Sequence, residues 1–187
     1  EQPPSIGCPA SITVNTDLDQ CTASVALGSP ITDDNCGVAS TTNNAPVHFP
    51  KGIHNVIWTT TDLHGNTATC VQTVTVIDNE PPLITCPSNL NVFGGPGAGP
   101  VVVNYPLPTF SDNCPGASIF QTTGLPSGSV FPLGTTTNTF IVTDDVGMSA
   151  SCSFVVTVRL GRVGVNTTNP MAMLHVADSS VLFTGLS

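Results

Sequence analysis

Residues 60–76 read TTDLHGNTATCVQTVTV. Val56, Trp58 and Thr60 share one parity before the turn, and Ala68, Cys70, Val74 and Val76 share one after it, which is the alternation of a half-buried antiparallel hairpin. Leu63 to Asn66 form the bend. Gly65 and Asn66 accept positive φ at little cost, and Asp62 can hydrogen-bond its own backbone. Residues 139–158, TFIVTDDVGMSASCSFVVTV, repeat the arrangement with Phe140 for Trp58, Asp144 for Asp62, Gly147 for Gly65 and Cys152 for Cys70. The chain is therefore built from tandem repeats.

Outward from the hairpin, PPSIGCP at 3–9 recurs as PPLITCP at 81–87. Cys8 to Cys86 and Cys36 to Cys114 are both 78 positions apart; Gly52 to Gly134, Asp62 to Asp144 and Cys70 to Cys152 are all 82 apart. The second repeat thus carries four extra residues between Cys114 and Gly134, which belong in a loop. In the first repeat, Ile12 with Val14, residues 23–27 and residues 47–49 read as shorter strands. Helix signals are absent, because Pro30, Pro46 and Pro50 and the β-branched runs disfavour a helical period. The expected fold is all-β: two immunoglobulin-like β-sandwich modules, 1–79 and 80–160, and a β-rich assembly segment, 161–187. The Cys–Trp–Cys spacing of antibody domains is missing. At the junction, VIDNEPP at 76–82 ends a strand and holds the next segment extended, a stiff spacer.

Composition narrows the functional classes. Of 187 residues 8% are charged and 5% aromatic, with 17 each of Gly and Pro, as strands and turns require. The net charge of −9 sets 12 acids against Lys51, Arg159 and Arg162, so no basic surface attracts nucleic acid or anionic lipid. No apolar run approaches the roughly 20 residues of a membrane span, and no signal segment opens the chain. Glu1 in place of Met fits a processed or excised chain. Seven cysteines without a CxxC pair suit an oxidising, extracellular setting, and the chain reads as secreted.

The order PPxxxCP, DNC, Gly, TDxxGNxxxC and alternating valines resembles the hyalin repeat, or HYR module, over most of residues 3–158. The resemblance implies an immunoglobulin-related sandwich found in extracellular proteins, often in tandem arrays and associated with adhesion. Gln72 stands where the pattern expects an aromatic that the second repeat supplies as Phe154; Met148 replaces the turn residue Asn66; nothing in the second repeat matches Cys21. Beyond Val158, residues 162–187 resemble the GIGTTNPxxxLHV segment of bacterial surface and tail-fibre proteins over about fifteen residues, with Val165 and Asn166 departing from it. That resemblance implies a junction to trimeric, β-rich fibre sequence.

The cysteines read as structural disulfides and not as a metal site. Closing Cys8 to Cys70 over 62 positions is worth about 4 kcal/mol on the chain-entropy model, and Cys86 to Cys152 is its counterpart. Cys21 then pairs with Cys36 and leaves Cys114 as the free or intermolecular thiol, although four cysteines in a repeat admit three connectivities. His48, His54, His64 and His175 lack ligand spacing; the first three read as solvated loop residues and His175 as packing. The neighbouring pairs Asp33 with Asp34 and Asp144 with Asp145 point to opposite faces of extended chain, no GxSxG elbow is present and no Gly-rich phosphate loop precedes a helix, so the chain reads as non-enzymatic. Calcium is the one cofactor the sequence suggests: Asp78, Asn79 and Glu80 are similar to the acidic linker of cadherins, and Asp33, Asp34 or Asp62 are expected to approach from the loops. A solvated acidic linker is the competing reading.

The expected function is a non-catalytic extracellular repeat, a spacer or adhesive subunit of a bacterial surface fibre or filament. The alternative is a carbohydrate-binding module of a secreted hydrolase, which would need exposed aromatic faces, whereas Trp58 and Phe140 have core parity. The expected partners are further copies of the chain or a fibre partner, with a surface glycan or protein as ligand and no nucleic acid or membrane insertion. Assembly is assigned to the tail, where Val163, Val165, Leu174, Val176, Val181, Leu182, Phe183 and Leu186 are too strung out to build a core alone and need another chain to cover them.

Overall fold

A computed structural model describes residues 2–95 and 99–161 and, beyond them, the backbone of two short strands. The described residues form strands, turns and loops, with no helix among them. The first repeat holds β1 (Ser5–Gly7), β2 (Ile12–Asn15), β3 (Thr22–Ala23), β4 (Ile31–Asp33), β5 (Val38–Asn43), β6 (Phe49–Pro50), β7 (Gly52–Asp62) and β8 (Thr67–Ile77). The second holds β9 (Leu83–Thr85), β10 (Leu90–Phe93), β11 (Val101–Val103), β12 (Thr109–Ser111), β13 (Ser118–Thr123), β14 (Ser129–Phe131), β15 (Gly134–Thr143) and β16 (Ser149–Arg159). β17 (Val163–Val165) and β18 (Leu174–Val176) follow as a parallel pair.

The quoted hairpin is β7–β8, in register from Gly52 opposite Val76 to Thr61 opposite Thr67. β2 adds to β8 in parallel and β5 to β7 antiparallel, giving the four-stranded order β2-β8-β7-β5. The strand pairs β1–β4 and β3–β6 complete the sandwich. The same order recurs as β10-β16-β15-β13, with the pairs β9–β12 and β11–β14. Each module is an immunoglobulin-like sandwich. β1 was not foreseen, and the strand expected at 23–27 is two residues long, since Val25 and Leu27 pack against the core from irregular chain.

Alternation decides which side chains fill each sandwich. In the first, Val56, Trp58, Val74 and Val76 lie under Ala23 and Phe49; in the second, Phe140, Phe154, Val156 and Val158 lie under Val103, Tyr105 and Phe131. Trp58 is 7% exposed and Phe140 4%, so both aromatics are core residues, each opposite a bridged cysteine, Cys70 or Cys152. Truncating either to Ala should destabilise its module by about 3–5 kcal/mol.

Each core also buries one amide, placed in the same cross-strand pair but on opposite strands. Val56 faces Gln72 in the first module, and Asn138 faces Phe154 in the second. Gln72 is fully used: Oε1 accepts the Trp58 indole N–H at 3.0 Å, and Nε2 donates to the carbonyls of Ala10 and Leu27 at 2.7 and 2.9 Å. Phe154 instead stacks on Phe140 and meets Tyr105 edge-on, with centroids 6.3 and 4.9 Å away. A buried amide survives because its partners replace water; an unpaired one costs about 1–3 kcal/mol. The departure at Gln72 from the aromatic pattern is thus matched by Trp58, whose indole donor a phenylalanine lacks.

Three disulfides join Cys8 to Cys70, Cys86 to Cys152 and Cys21 to Cys114, and Cys36 is the exposed free thiol. The expected Cys21–Cys36 pair and free Cys114 are therefore corrected. The expectation confined each bridge to its own repeat, whereas Cys114 follows β12 in a segment, Asp112–Ala117, that clusters with residues Glu1–Pro82. The compact units likewise depart from division at 79/80. The first comprises Glu1–Pro82, Asp112–Ala117 and Asp144–Met148; the second comprises Leu83–Ser111, Ser118–Thr143 and Ser149–Ser187. Of the proposed assembly residues, Val163, Val165, Leu174 and Val176 fall in β17 and β18, whose side chains lie outside the described residues, as do Val181, Leu182, Phe183 and Leu186 entirely.

Candidate functional site: a buried carboxylate cluster

Three strands end on an aspartate that leaves the ladder for a loop. Asp78 follows β8, Asp112 follows β12 and Asp144 follows β15, and all three belong to the first compact unit. One carboxylate oxygen from each lies within 4.8 Å of the others, the group among the described residues whose spacing admits a metal ion. Asp78 and Asp144 are 3% and 6% exposed, and Asp112 is half-buried.

Local hydrogen bonds fix the carboxylates and leave part of each unused. Asp78 Oδ1 accepts the Glu80 N–H and the Asn113 Nδ2–H, both at 3.3 Å; Asp144 Oδ1 accepts the N–H groups of Val146 and Met148 at 3.0 and 2.8 Å. Asn113 Nδ2 also reaches the Gln20 carbonyl at 3.0 Å. Oδ2 of Asp78, Oδ2 of Asp144, both oxygens of Asp112 and Oδ1 of Asn113 are buried without a hydrogen-bond partner. Burial, with the negative charges of Asp78 and Asp144 adding to it, raises the Asp112 pKa above the usual carboxylate value; the nearby backbone N–H groups of Cys114 and Asn113, which do not meet the geometry of a hydrogen bond, oppose the rise.

Lys51, the sole lysine, stands beside the cluster. Its Nζ pairs closely with Asp145 Oδ1 and lies 3.8 Å from Asp78 Oδ2. The Asp145 hydrogen bond raises the Lys51 pKa, against burial and with help from the charges of Asp145, Asp78 and Asp144. Four carboxylates, Asp78, Asp112, Asp144 and Asp145, against one ammonium leave a local charge of −3.

The first repeat shows the same turn in a closed form. Asp62 Oδ1 accepts from the N–H groups of His64 and Asn66, and Oδ2 accepts the Asn66 side-chain amide at 2.7 Å. Gly65 supplies the positive φ of 91° that this turn needs. The Asn66 amide, foremost, holds the Asp62 carboxyl below its usual pKa, with the turn N–H groups adding and burial opposing. Met148 takes the place of Asn66 at the second turn, has no amide to donate, and so leaves Asp144 Oδ2 open.

Of the residues expected to bind calcium, the structure brings Asp78 alone into the cluster. Glu80 turns away to accept the Asp19 N–H with both oxygens, at 3.1 and 3.2 Å. Asp62 is saturated by its turn; Asp33 lies exposed on β4; Asp34 caps the Cys36 N–H at 2.9 Å. Sequence reasoning missed Asp112 and Asp144, although both sit, like Asp78, one residue past a strand. His54, expected in a loop, is a half-buried β7 residue whose Nε2–H donates to the Pro50 carbonyl at 2.7 Å and whose ring meets Phe49 edge-on.

The HYR domain pattern matches residues 1–76 and again 77–158. The chain belongs to the HYR family. Its HYR modules are similar to hyalin of Strongylocentrotus purpuratus, 34% identical over 175 residues that make up 90% of this chain and 14% of that protein. Hyalin of Lytechinus variegatus is likewise 34% identical over 175 residues, 89% of this chain and 32% of the relative. A sushi, von Willebrand factor type A, EGF and pentraxin domain-containing protein 1 of Rattus norvegicus is 32% identical over 162 residues, 83% and 4%. The chain thus spans about a third or less of the length of these relatives. They are animal proteins, so the bacterial-fibre origin suggested by residues 162–187 finds no support among them. Among solved structures, the chain is distantly similar to protocadherin gamma C5 EC1-3 (15% identity, TM-score 0.40, 83% of this chain and 68% of that one) and Drosophila N-cadherin EC1-4 (9%, 0.40, 85% and 50%).

Proposed function

We propose that this pair of HYR modules is a non-catalytic, extracellular segment of an adhesive repeat array. The observation that carries the reading is covalent. Two small sandwiches, each with its own apolar core, are held by three disulfides, one of which spans 93 positions from Cys21 to Cys114. Such bridges persist in an oxidising compartment and stabilise modules whose cores are modest. Similarity to hyalin across both modules adds support. Trp58 and Phe140 are buried and present no face to a sugar, while the exposed aromatics among the described residues are Phe93, Phe110 and Phe120.

In this reading the modules act as spacer and contact surface, and residues 161–187 supply contacts to further copies or to a partner chain. Beads coated with the oxidised full chain should cluster, or bind cells, more than beads coated with the reduced and alkylated chain. Equal behaviour of the two refutes adhesion by the folded modules. Light scattering on the full chain and on residues 1–160 tests the tail separately, and a full chain that is monomeric at working concentration removes its assembly role.

A further inference from the structure

We propose that Asp78, Asp112 and Asp144 form a divalent-cation site that takes calcium. The fold leaves several carboxylate oxygens without a hydrogen-bond partner. Asp78 and Asp144 are more than nine-tenths buried, yet Oδ2 of each makes no hydrogen bond, and neither oxygen of Asp112 makes one. A buried carboxylate whose lone pairs are only partly satisfied is unfavourable, so three that each keep an open oxygen on neighbouring loops call for compensation. Lys51 supplies part of it from one side, at 3.8 Å from Asp78 and beyond hydrogen-bonding reach.

Spacing matches a hard cation. Three oxygens within 4.8 Å of one another share a point no more than about 2.8 Å from each, so a shift of a few tenths of an ångström brings all three to the roughly 2.3–2.6 Å that calcium takes with carboxylates, amide carbonyls and water. Asn113 Oδ1, buried and unpartnered beside Asp112, is a fourth oxygen of the right chemistry. A divalent ion brings the local charge from −3 to −1. Calcium fits better than magnesium because the donors come from loops, and magnesium demands a tighter octahedron and keeps its water.

A substitution inside the chain makes the site specific to one turn. At Asp62 the Asn66 amide occupies Oδ2, as the TDxxGN pattern provides; at Asp144 the amide is replaced by the Met148 thioether and Oδ2 is released. The second turn gives up an internal hydrogen bond and gains an open ligand. The site is a property of these side chains and holds whether or not the array is adhesive.

Isothermal titration of the chelator-treated full chain with CaCl2 tests the assignment, with MgCl2 as the competing arm and melting temperature as a second readout. The expected result is one calcium per chain, bound on the order of 10⁻⁴ to 10⁻³ M as in extracellular modules, with a higher melting temperature and weaker magnesium binding. Asp144→Asn and Asp112→Asn should each weaken binding about tenfold or more. Met148→Asn rebuilds the Asp62-type turn without removing a carboxylate, and it should weaken calcium binding while leaving the calcium-free chain at least as stable. Lys51→Met, which removes the competing ammonium, should strengthen it, and Asp33→Asn on exposed β4 should leave it unchanged. No heat and no melting shift at 10 mM calcium, on the order of ten times the weakest expected constant, overturns the proposal. So does binding that Met148→Asn and Asp144→Asn leave intact, which would place the ion elsewhere.

Discussion

Trp58→Phe and Gln72→Phe, alone and together, should expose the coupling between the indole and the buried amide of the first module. Trp58→Phe leaves Gln72 Oε1 buried without its 3.0 Å donor, which costs about 1–3 kcal/mol, and the smaller ring leaves space worth about 1 kcal/mol more. Gln72→Phe strands the indole N–H at a similar cost and also removes the amide from the carbonyls of Ala10 and Leu27. In the double variant the indole donor and its acceptor disappear together, so the lost hydrogen bond is counted once. The double variant should therefore be more stable than the sum of the singles by about 1–3 kcal/mol. Calorimetric unfolding of the oxidised chain reads this as a shift of roughly 4–8 °C per kcal/mol in the transition of the first module. Phe140 and Phe154 already form the all-aromatic version of the pair, so the double variant has a template in its own chain. Additivity within about 0.5 kcal/mol would refute the coupling.

Acid should weaken the first hairpin through Asp62. Its folded pKa lies below the ordinary value of 3.8, so its stabilisation is complete above that pH and is lost as pH falls through the lowered value; acid titration of unfolding in Asp62→Asn should show a flatter decline below about pH 4. Peptide mapping of the unreduced chain should find Cys21 joined to Cys114 and Cys36 open to alkylation, and a Cys21–Cys36 peptide would contradict the fold. Replacing both Cys21 and Cys114 by Ser should lower stability by up to about 4.5 kcal/mol, the chain-entropy value for that loop. Gly124→Ala should destabilise the second module by about 2–4 kcal/mol, since at φ +88° an added Cβ would sit 2.2 Å from Asn138 Oδ1 and 2.7 Å from its backbone; near-normal melting would refute the fit.

Local pattern made the hairpins legible. The parity of Val56, Trp58, Val74 and Val76 is the parity of the core, because a strand has two faces and one was apolar. The disulfide from Cys21 was not legible, because bridging depends on which loops meet in space and a repeat unit suggests closure within itself. Its signal was the shared register of Cys36 and Cys114 together with the missing counterpart of Cys21, which fits a bond from one repeat's Cys21 to the next repeat's DNC cysteine. The carboxylate cluster was missed for a similar reason. Asp78, Asp112 and Asp144 are scattered in sequence, whereas pairs such as Asp33 with Asp34 stand side by side. Each of the three ends a strand, however, and Met148 in place of the turn asparagine marked the one hairpin whose aspartate stays open.

The bridges interlock along the chain: 8 to 70, 21 to 114 and 86 to 152. Under tension, a pull between Cys8 and Cys152 does not have to be carried by all 144 intervening positions (152 − 8), because two bridges shorten the covalent path to the 16 between Cys70 and Cys86 (86 − 70). At about 3.4 Å per residue, and with 5.7 Å across each of the two bridges, that caps the extension at about 66 Å where the open chain would reach about 490 Å. The bridge from Cys21 to Cys114 encloses that same short stretch. A protease cut between Cys70 and Cys86 would leave both fragments joined through residues 8–21, the bridge and residues 114–152, a detour of 51 positions (13 + 38). A load-bearing array built this way tolerates a nick at the joint between its repeats and lengthens instead of parting.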